Sequence, residues 1–202
     1  MLNNIFHQST EIEAFWAWFL EREQFYYHLE LYDMDDLFEQ LGNALHKVNE
    51  NLTFEFSQIL PNDKREFTIS ADGIRSAFPA VIQLIDAAPT LTKWKLVAFR
   101  QPASTPICIQ IENISISYDD IKFKYHIHNR ELALTFYVKD FTAPSPVHEV
   151  AICILLDALL GEYDAVTKIR YVDLAPLRDA EPSEDLFPFP TLKDIVKQRA
   201  LN

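Results

Sequence analysis

Two aspartates stand at corresponding places in two similar stretches of this sequence. Asp86 lies in Leu84–Ala87 and Asp157 in Leu155–Ala158, and each stretch reads as two aliphatic residues, aspartate and alanine. A pair of carboxylates can act as general acid and general base, or it can hold a metal ion. Arg100 ends an apolar strand, where pockets often form, and it could bind an anion there or pair with a local acid. The alternative is that both aspartates lie at the solvent margin of amphipathic helices.

A second pattern, His126-x-His128, has the spacing of a metal site on a strand. Residues two apart on a strand share a face, so both imidazoles could reach one ion. Lys122 and Lys124 share that face, however, and their ammonium groups disfavour a divalent cation, so we expect a solvated face without a metal.

The chain has only 3 glycines and lacks the short motifs of nucleophilic catalysis and phosphate binding. We therefore predict no cofactor and no catalytic residue, which leans against an enzyme.

The first fifty residues hold most of the negative charge. They contain ten acidic residues against Arg22 and Lys47, a balance of −8 within a total of −12. Aromatic residues are dense in the same segment, and aromatic rings beside carboxylates suit a surface that binds a basic protein. The alternative is that the rings pack in the core and that the acids complement the N-terminus of a helix. The residues assigned to the predicted interaction surface are Trp16, Trp18, Tyr26, Tyr27, Asp35 and Asp36.

The overall acidity also bears on which partners are excluded. Binding to nucleic acid needs clustered lysine and arginine, and an anionic membrane repels an acidic surface. The longest apolar runs, Ala14–Leu20 and Val150–Leu156, are seven residues each and too short to span a bilayer. Cys108 and Cys153 each lie between isoleucines and are expected to be buried thiols in a reducing compartment. The sequence thus predicts a cytoplasmic protein that binds neither nucleic acid nor membrane, and it leaves the oligomeric state open.

Periodic patterns predict two N-terminal helices followed by a sheet. Ser9 can cap the first helix, and the second runs from about Asp33 to Glu50. Its predicted apolar stripe consists of Met34, Leu37, Phe38, Leu41, Leu45 and Val48. Further along the chain, alternating apolar and polar residues predict two hairpins. Val150–Leu160 is apolar nearly all round, which predicts a central helix that is buried on several sides.

The stretches that contain Asp86 and Asp157 have the same predicted order of strand, turn, strand, helix and strand. They cover residues 52–100 and 121–174, and the likeness reflects either an internal duplication or chance. The predicted fold is α+β, a mostly antiparallel sheet with helices packed chiefly on one side. In domain terms, residues 1–51 form an acidic, aromatic-rich helical cap. Residues 52–202 form an α+β domain in which the two ββαβ copies pack as one unit.

Three segments of the sequence resemble segments of a group of acidic bacterial proteins that have no assigned activity. The segments are Ile69–Ile74, Ala98–Pro102 and Leu155–Ile169, and the resemblance as a whole covers residues from about 52 to 175. The resemblance implies a bacterial cytoplasmic setting. It implies no site residues.

Two functions follow from these patterns. The first is a non-catalytic interaction or regulatory module, such as an inhibitor, whose acidic N-terminal surface binds a basic protein. The second is a small-molecule or hydrolytic enzyme with a carboxylate site between the two copies, near Asp86, Arg100 and Asp157. Burial of all four predicted aromatic rings would count against the first function. A deep pocket with two converging acids would favour the second.

Overall fold

Three helices come first along the chain and are followed by a mixture of strands and helices. The computed structural model describes residues 2–31, 34–112, 114–129, 131–142, 146–179 and 186–200. These residues form seven α-helices and nine strands, which confirms the predicted α+β class. They divide into two compact units, termed here unit 1 (Met1–Arg100) and unit 2 (Gln101–Asn202). The boundary expected at residue 51 lies inside unit 1 and stays a prediction.

Unit 1 is built from helices on one face of a three-stranded sheet. The helices are α1 (Leu2–Leu20), α2 (Glu23–Tyr27), α3 (Met34–Val48) and α4 (Phe78–Asp86), and the strands are β1 (Thr53–Ile59), β2 (Arg65–Ser70) and β3 (Trp94–Ala98). Strand β1 pairs antiparallel with β2, and β3 pairs parallel with β2. Helix α4 lies in the connection between β2 and β3, because a parallel pair needs a crossover segment.

Helix α3 follows from the pattern of its own sequence. Leu41, Leu45 and Val48 recur at helical spacing and are buried. Asp35 and Asp36 occupy the first turn, where negative charge complements the partial positive charge of the helix N-terminus. The helix was predicted to begin near Asp33, which lies outside the described residues. Its described part begins at Met34.

An aromatic core joins the helices of unit 1 to the sheet. From α1, the Phe19 ring stacks on Phe67 of β2 at 5.1 Å between centroids and meets Trp94 of β3 at 5.4 Å. The indole N–H of Trp16 donates to the Leu84 carbonyl oxygen of α4 at 2.8 Å. All five side chains are buried. These contacts fix α1 and α4 on the same face of the sheet.

Unit 2 contains two sheets. Its strands are β4 (Cys108–Ile111), β5 (Ile114–Ser117), β6 (Ile121–His128), β7 (Glu131–Val138), β8 (Ile169–Pro176) and β9 (Phe187–Pro188). Its helices are α5 (Pro146–Leu160), α6 (Glu162–Lys168) and α7 (Leu192–Ala200). Strands β4 and β5 form a separate hairpin, and the other sheet has the order β8-β7-β6-β9. The described strands therefore lie in three sheets, whereas the sequence analysis expected one.

Helix α5 is less enclosed than its composition suggests. Its buried side faces the core of unit 2 and consists of Ala151, Ile152, Leu155, Leu156, Leu159 and Leu160. Val150, Cys153 and Ile154 lie on the opposite side and are exposed. The predictions of a helix buried on several sides and of buried thiols at Cys108 and Cys153 are therefore wrong. Apolar composition shows that a helix can be buried, but not how many of its sides have a neighbour. Among the described helices, none has the length and apolar character to cross a membrane.

The two units share a pattern of strand pairing. In unit 2, β6 pairs antiparallel with β7, β7 pairs parallel with β8, and α5 and α6 lie in the connection. Positive φ angles recur at matching positions as well. Asp63 (59°) and Asn129 (49°) stand two residues before the second strand, and Asp72 (50°) and Asp140 (56°) stand two residues after it. The shared geometry supports an internal duplication, which stays a prediction.

Candidate protein-interaction surface

Most of the aromatic residues assigned to the interaction surface lie in the core of unit 1. Trp16, Tyr26 and Tyr27 are at most 4% exposed, and Trp18 is half-buried. The reason is that α1 and α2 turn these rings towards the sheet, where Tyr26 stacks with Phe19 at 5.7 Å. A partner could not contact the three buried rings without unfolding unit 1. Of the four rings, Trp18 alone is accessible in part.

The two predicted acidic residues have the opposite placement. Asp35 and Asp36 are both exposed in the first turn of α3. The Gln40 side-chain amide donates to Asp36 Oδ2 at 2.9 Å, one helical turn further along. These carboxylates are thus held on the surface by a helix whose other face is anchored in the core.

An apolar row lies beside these acids and was missed by the sequence analysis. Met34 is 51% exposed and Phe38 is 37% exposed, although both were assigned to the buried stripe of α3. The Phe38 ring rests edge-on against Phe54 of β1, with centroids 5.4 Å apart. Residues i and i+4 share a helix face, so Met34 and Phe38 form one row and Asp35 and Glu39 the next. We refer to these four residues as the acidic–apolar surface.

A shallow groove of about 260 Å³ lies on another part of α3, between this helix and α1. Its lining consists of Glu11, Ala14, Phe15, Trp18, Gln40, Asn43, Ala44 and Lys47. The Arg22 guanidinium stacks over Trp18 at 5.2 Å and fixes this ring beside the groove. The volume lies below the usual range of small-molecule sites, which enclose about 300–1,000 Å³. The groove is therefore smaller than a typical small-molecule site.

A polar network links α2 to the hairpin turn of unit 1. The Tyr27 hydroxyl donates to Asp63 Oδ1 at 2.8 Å, and Lys93 pairs with Asp63 Oδ2. The Lys93 ammonium also lies over the Tyr27 ring, 5.6 Å from its centroid. The hydrogen bonds from Lys93 and Tyr27 hold the pKa of Asp63 below its ordinary value. Loss of water around Tyr27, and then its bond to Asp63, raise the pKa of the Tyr27 phenol. The network is suited to holding α2 in place, because each of its groups is stabilised in its ordinary ionisation state.

Arg65 lies at the same end of the sheet and is 5% exposed. Its Nη1 donates to the Tyr26 carbonyl oxygen at 2.8 Å, and its Nη2 lies 3.9 Å from Glu30 Oε2. Arg65 Nε and the indole nitrogen of the neighbouring Trp94 have no hydrogen-bond partner. Each such donor costs about 1–3 kcal/mol when buried. Arg65 is therefore a structural tie between β2 and α2 that is only partly satisfied.

The residues of the alternative carboxylate site are separated along the chain. Asp86 is exposed at the end of α4 in unit 1, and Asp157 is half-buried on α5 in unit 2. Arg100 Nη2 lies 2.9 Å from Asp72 Oδ1, and its Nη1 lies 3.8 Å from Glu55 Oε1. The positive charge of Arg100 is thus balanced by two carboxylates within unit 1. The carboxylate site stays a prediction.

The histidine pair has the surroundings that its sequence suggested. His126 and His128 are exposed on β6, and the Lys124 ammonium lies over the Tyr137 ring at 5.3 Å. Within the described ranges, no three histidine, cysteine, aspartate or glutamate side chains come together in a way that could hold a metal ion.

Comparison with known proteins adds no relative. No protein-family model matches the chain, and neither do curated proteins or solved structures.

Proposed function

We propose that this protein is a non-catalytic interaction module that binds a basic protein through the acidic helices of unit 1. The observation that carries the proposal is the pairing of exposed carboxylates with exposed apolar side chains on α3. Acidic residues alone would give weak, diffuse attraction, whereas apolar side chains give contact area that is removed from water on binding. A regulator or inhibitor of a basic protein would need both.

The distribution of charge within unit 1 supports this proposal. Residues 1–50 carry ten acids against two bases, a balance of −8. Residues 51–100 carry five acids against six bases, a balance of +1. The excess negative charge of the unit therefore belongs to the segment of α1–α3 and not to the sheet beneath it. Such a one-sided field steers a positively charged partner towards the helices.

The setting of the partner belongs to the same proposal. We propose a bacterial cytoplasm as the setting, which is what the resemblance to acidic bacterial proteins implies. The carboxylate-site enzyme stays the alternative, and no specific contact among the described residues favours it.

The proposal can be tested with two variants of equal charge. One replaces the acids of α3 (Asp35→Asn, Asp36→Asn and Glu39→Gln), and the other replaces three exposed acids of unit 2 (Glu112→Gln, Asp119→Asn and Asp173→Asn). Immobilised protein would be challenged with a bacterial lysate at low salt, and bound basic proteins would be eluted by raising the salt. We expect a salt-sensitive basic partner that the α3 variant loses and the unit 2 variant keeps.

Two results would contradict the proposal. One is the absence of any basic protein in the low-salt eluate. The other is an equal loss of the partner from both variants, because diffuse net charge would then explain the binding.

A further inference from the structure

We propose that the acidic–apolar surface docks a basic amphipathic helix, which rests on the proposed function and names the chemistry of its partner. The partner is a helix with one apolar row and an adjacent row of lysine or arginine. The surface to which it binds consists of Met34, Asp35, Phe38 and Glu39 of α3.

The spacing of the surface favours a helical occupant. Along α3, four residues advance the chain by about 6 Å, so Met34 and Phe38 are about one turn apart, as are Asp35 and Glu39. The two rows are turned by about 100° from each other, because consecutive residues of an α-helix differ by that angle. Another helix presents side chains at the same i, i+4 spacing, and ridges with this spacing interdigitate when helices pack. Its apolar row can cover Met34 and Phe38 while its basic row reaches Asp35 and Glu39.

The apolar row is partly organised before any partner binds. Phe38 is 37% exposed, and its ring is supported by Phe54 at 5.4 Å and by Phe56 at 6.2 Å. A ring that already has neighbours loses little conformational freedom on binding, so more of its contact free energy remains as affinity. Met34, at 51% exposure, is the flexible member of the row and can adapt its shape to the partner.

The charge of the surroundings selects a basic helix over a neutral or acidic one. Asp35 and Glu39 belong to a segment with a balance of −8, in which Arg22 and Lys47 are the only basic residues. An acidic helix would bring like charges together, whereas lysine or arginine beside the apolar row would complement them. Specificity for a basic partner therefore comes from the acidic row, and contact area comes from the apolar row.

The inference can be tested with two synthetic peptides of equal composition. The first is a leucine–lysine peptide of about five turns with leucine at i, i+3 and i+4, which forms one apolar face. The second contains the same residues in an order that gives no face. Binding of fluorescein-labelled peptides to the full chain would be followed by anisotropy. We expect the amphipathic peptide to bind about tenfold more tightly than its scrambled counterpart. The reason is that its leucines lie on one face and can cover the apolar row together, whereas those of the scrambled peptide cannot.

Matched variants assign this binding to the surface. Met34→Ser and Glu39→Gln should each weaken the amphipathic peptide about fivefold, since each removes one contact of about 1 kcal/mol. Ile154→Ser, an exposed apolar residue of unit 2, and Glu149→Gln, an exposed acid of α5 in the same unit, should each change the affinity by less than about twofold. The mutated side chains are all at least 40% exposed or on the exposed face of their helix, and thermal melting would verify that each variant folds.

The outcomes separate this inference from the proposed function. If both peptides bind equally and Met34→Ser has no effect, charge alone drives binding; the docking inference is then overturned while the proposed function stands. If the control variants weaken binding as much as the surface variants, the site lies elsewhere and the inference is again overturned. If neither peptide binds at low salt, the docking inference is overturned, and the proposed function is decided by the lysate experiment alone.

Discussion

The two units share one order of strand pairing, an antiparallel pair followed by a parallel pair, but they differ in the elements that cover these strands. In unit 1, helices α1–α3 precede the β1-β2-β3 sheet, and aromatic rings such as Phe19, Phe67 and Trp94 fill the space between helices and sheet. In unit 2, the β4–β5 hairpin precedes the equivalent strands, and its Ile116 joins a core in which leucine, isoleucine and valine prevail. The same pairing order therefore accepts either a helical or a β-hairpin companion.

The difference matters for function because the negative charge of unit 1 is concentrated in the helices that cover its sheet. The segment of α1–α3 carries the balance of −8, whereas the following half of unit 1 carries +1. A cover can change its outward-facing residues freely while its inward face keeps the sheet buried. We infer that the helical cover of unit 1 is the part that is specialised for a partner, and that the strands serve as its support.

The largest effect on stability is expected when a buried phenylalanine on an inner strand of each unit is replaced by alanine. Phe67 of β2 and Phe136 of β7 are fully buried. Phe67→Ala and Phe136→Ala should each lower the free energy of unfolding by about 3–5 kcal/mol, because each leaves a cavity. All three tryptophans (Trp16, Trp18 and Trp94) are in unit 1, so tryptophan fluorescence reports the unfolding of that unit and circular dichroism reports both.

This pair of variants also tests whether the units are separate in energy as well as in structure. Phe67→Ala should shift the fluorescence transition, and Phe136→Ala should shift only the dichroism transition. Equal shifts of the fluorescence transition in both variants would show that the units unfold together, which would weaken the comparison.

A smaller effect, of opposite sign in the two units, is expected at their glycines. Gly42 lies inside α3, and a Cβ added there would meet no atom within 4 Å. Gly42→Ala should therefore raise the free energy of unfolding by about 0.5–1 kcal/mol, since alanine favours a helix interior. Gly161, between α5 and α6, has a φ of 82° and a ψ of 150°, a conformation almost restricted to glycine, so Gly161→Ala should lower the free energy of unfolding by about 1–3 kcal/mol. Chemical denaturation curves of the two variants would measure both changes. Stabilisation by Gly161→Ala would contradict the strain argument.

The smallest effect concerns the equivalent hairpin turns, where unit 1 has Asp63 and unit 2 has Asn129. The pKa of Asp63 is lowered by its bonds to Lys93 and Tyr27. Its contribution to stability is therefore fully present above its ordinary pKa of about 3.8 and is lost as the pH falls through the lower folded-state value. Asp63→Asn, which gives unit 1 the residue of unit 2, should lower the melting temperature at pH 7. The difference in melting temperature between this variant and the native protein should shrink as the pH falls below about 3.8 and through the lower folded-state pKa of Asp63.

Melting followed by tryptophan fluorescence from pH 7 to pH 2 would measure this trend. Glu13→Gln, an exposed residue of the same unit, serves as the control for a general loss of charge. A difference between Asp63→Asn and the native protein that persists unchanged at low pH would show that the carboxylate charge is not responsible.

The surface of α3 illustrates why only part of the candidate site could be predicted. The segment, its acidity and the exposure of Asp35 and Asp36 follow from local pattern, because a polar helix face is exposed wherever the helix lies. Met34 and Phe38 carry the same apolar signal as the buried Leu41, yet Met34 is 51% exposed and Phe38 is 37% exposed. Whether an apolar residue at the margin of a stripe is buried depends on how far the neighbouring β1 extends, which the sequence of α3 does not contain.

The Tyr27–Asp63–Lys93 network could not be predicted for the same reason, because it depends on segments that are distant in the sequence. Tyr27 and Asp63 are 36 residues apart, and Asp63 and Lys93 are 30 apart, so no local spacing links them. They meet because the hairpin turn, the start of β3 and α2 lie at one end of the same sheet. The individual residues carry no signal of this arrangement, since nothing in the sequence around each of them points to the other two.

By itself, the sequence determined the α+β class, the order of most of the longer helices and strands, and the concentration of acids in the first fifty residues. These properties depend on periodicity and composition within short segments. Tertiary structure alone decided that Trp16, Tyr26 and Tyr27 are core residues, that Cys108 and Cys153 are exposed and that the strands form three sheets. The physical reason is that burial and strand pairing are set by which distant segments become neighbours, and a local pattern records only which face of a segment can accept one.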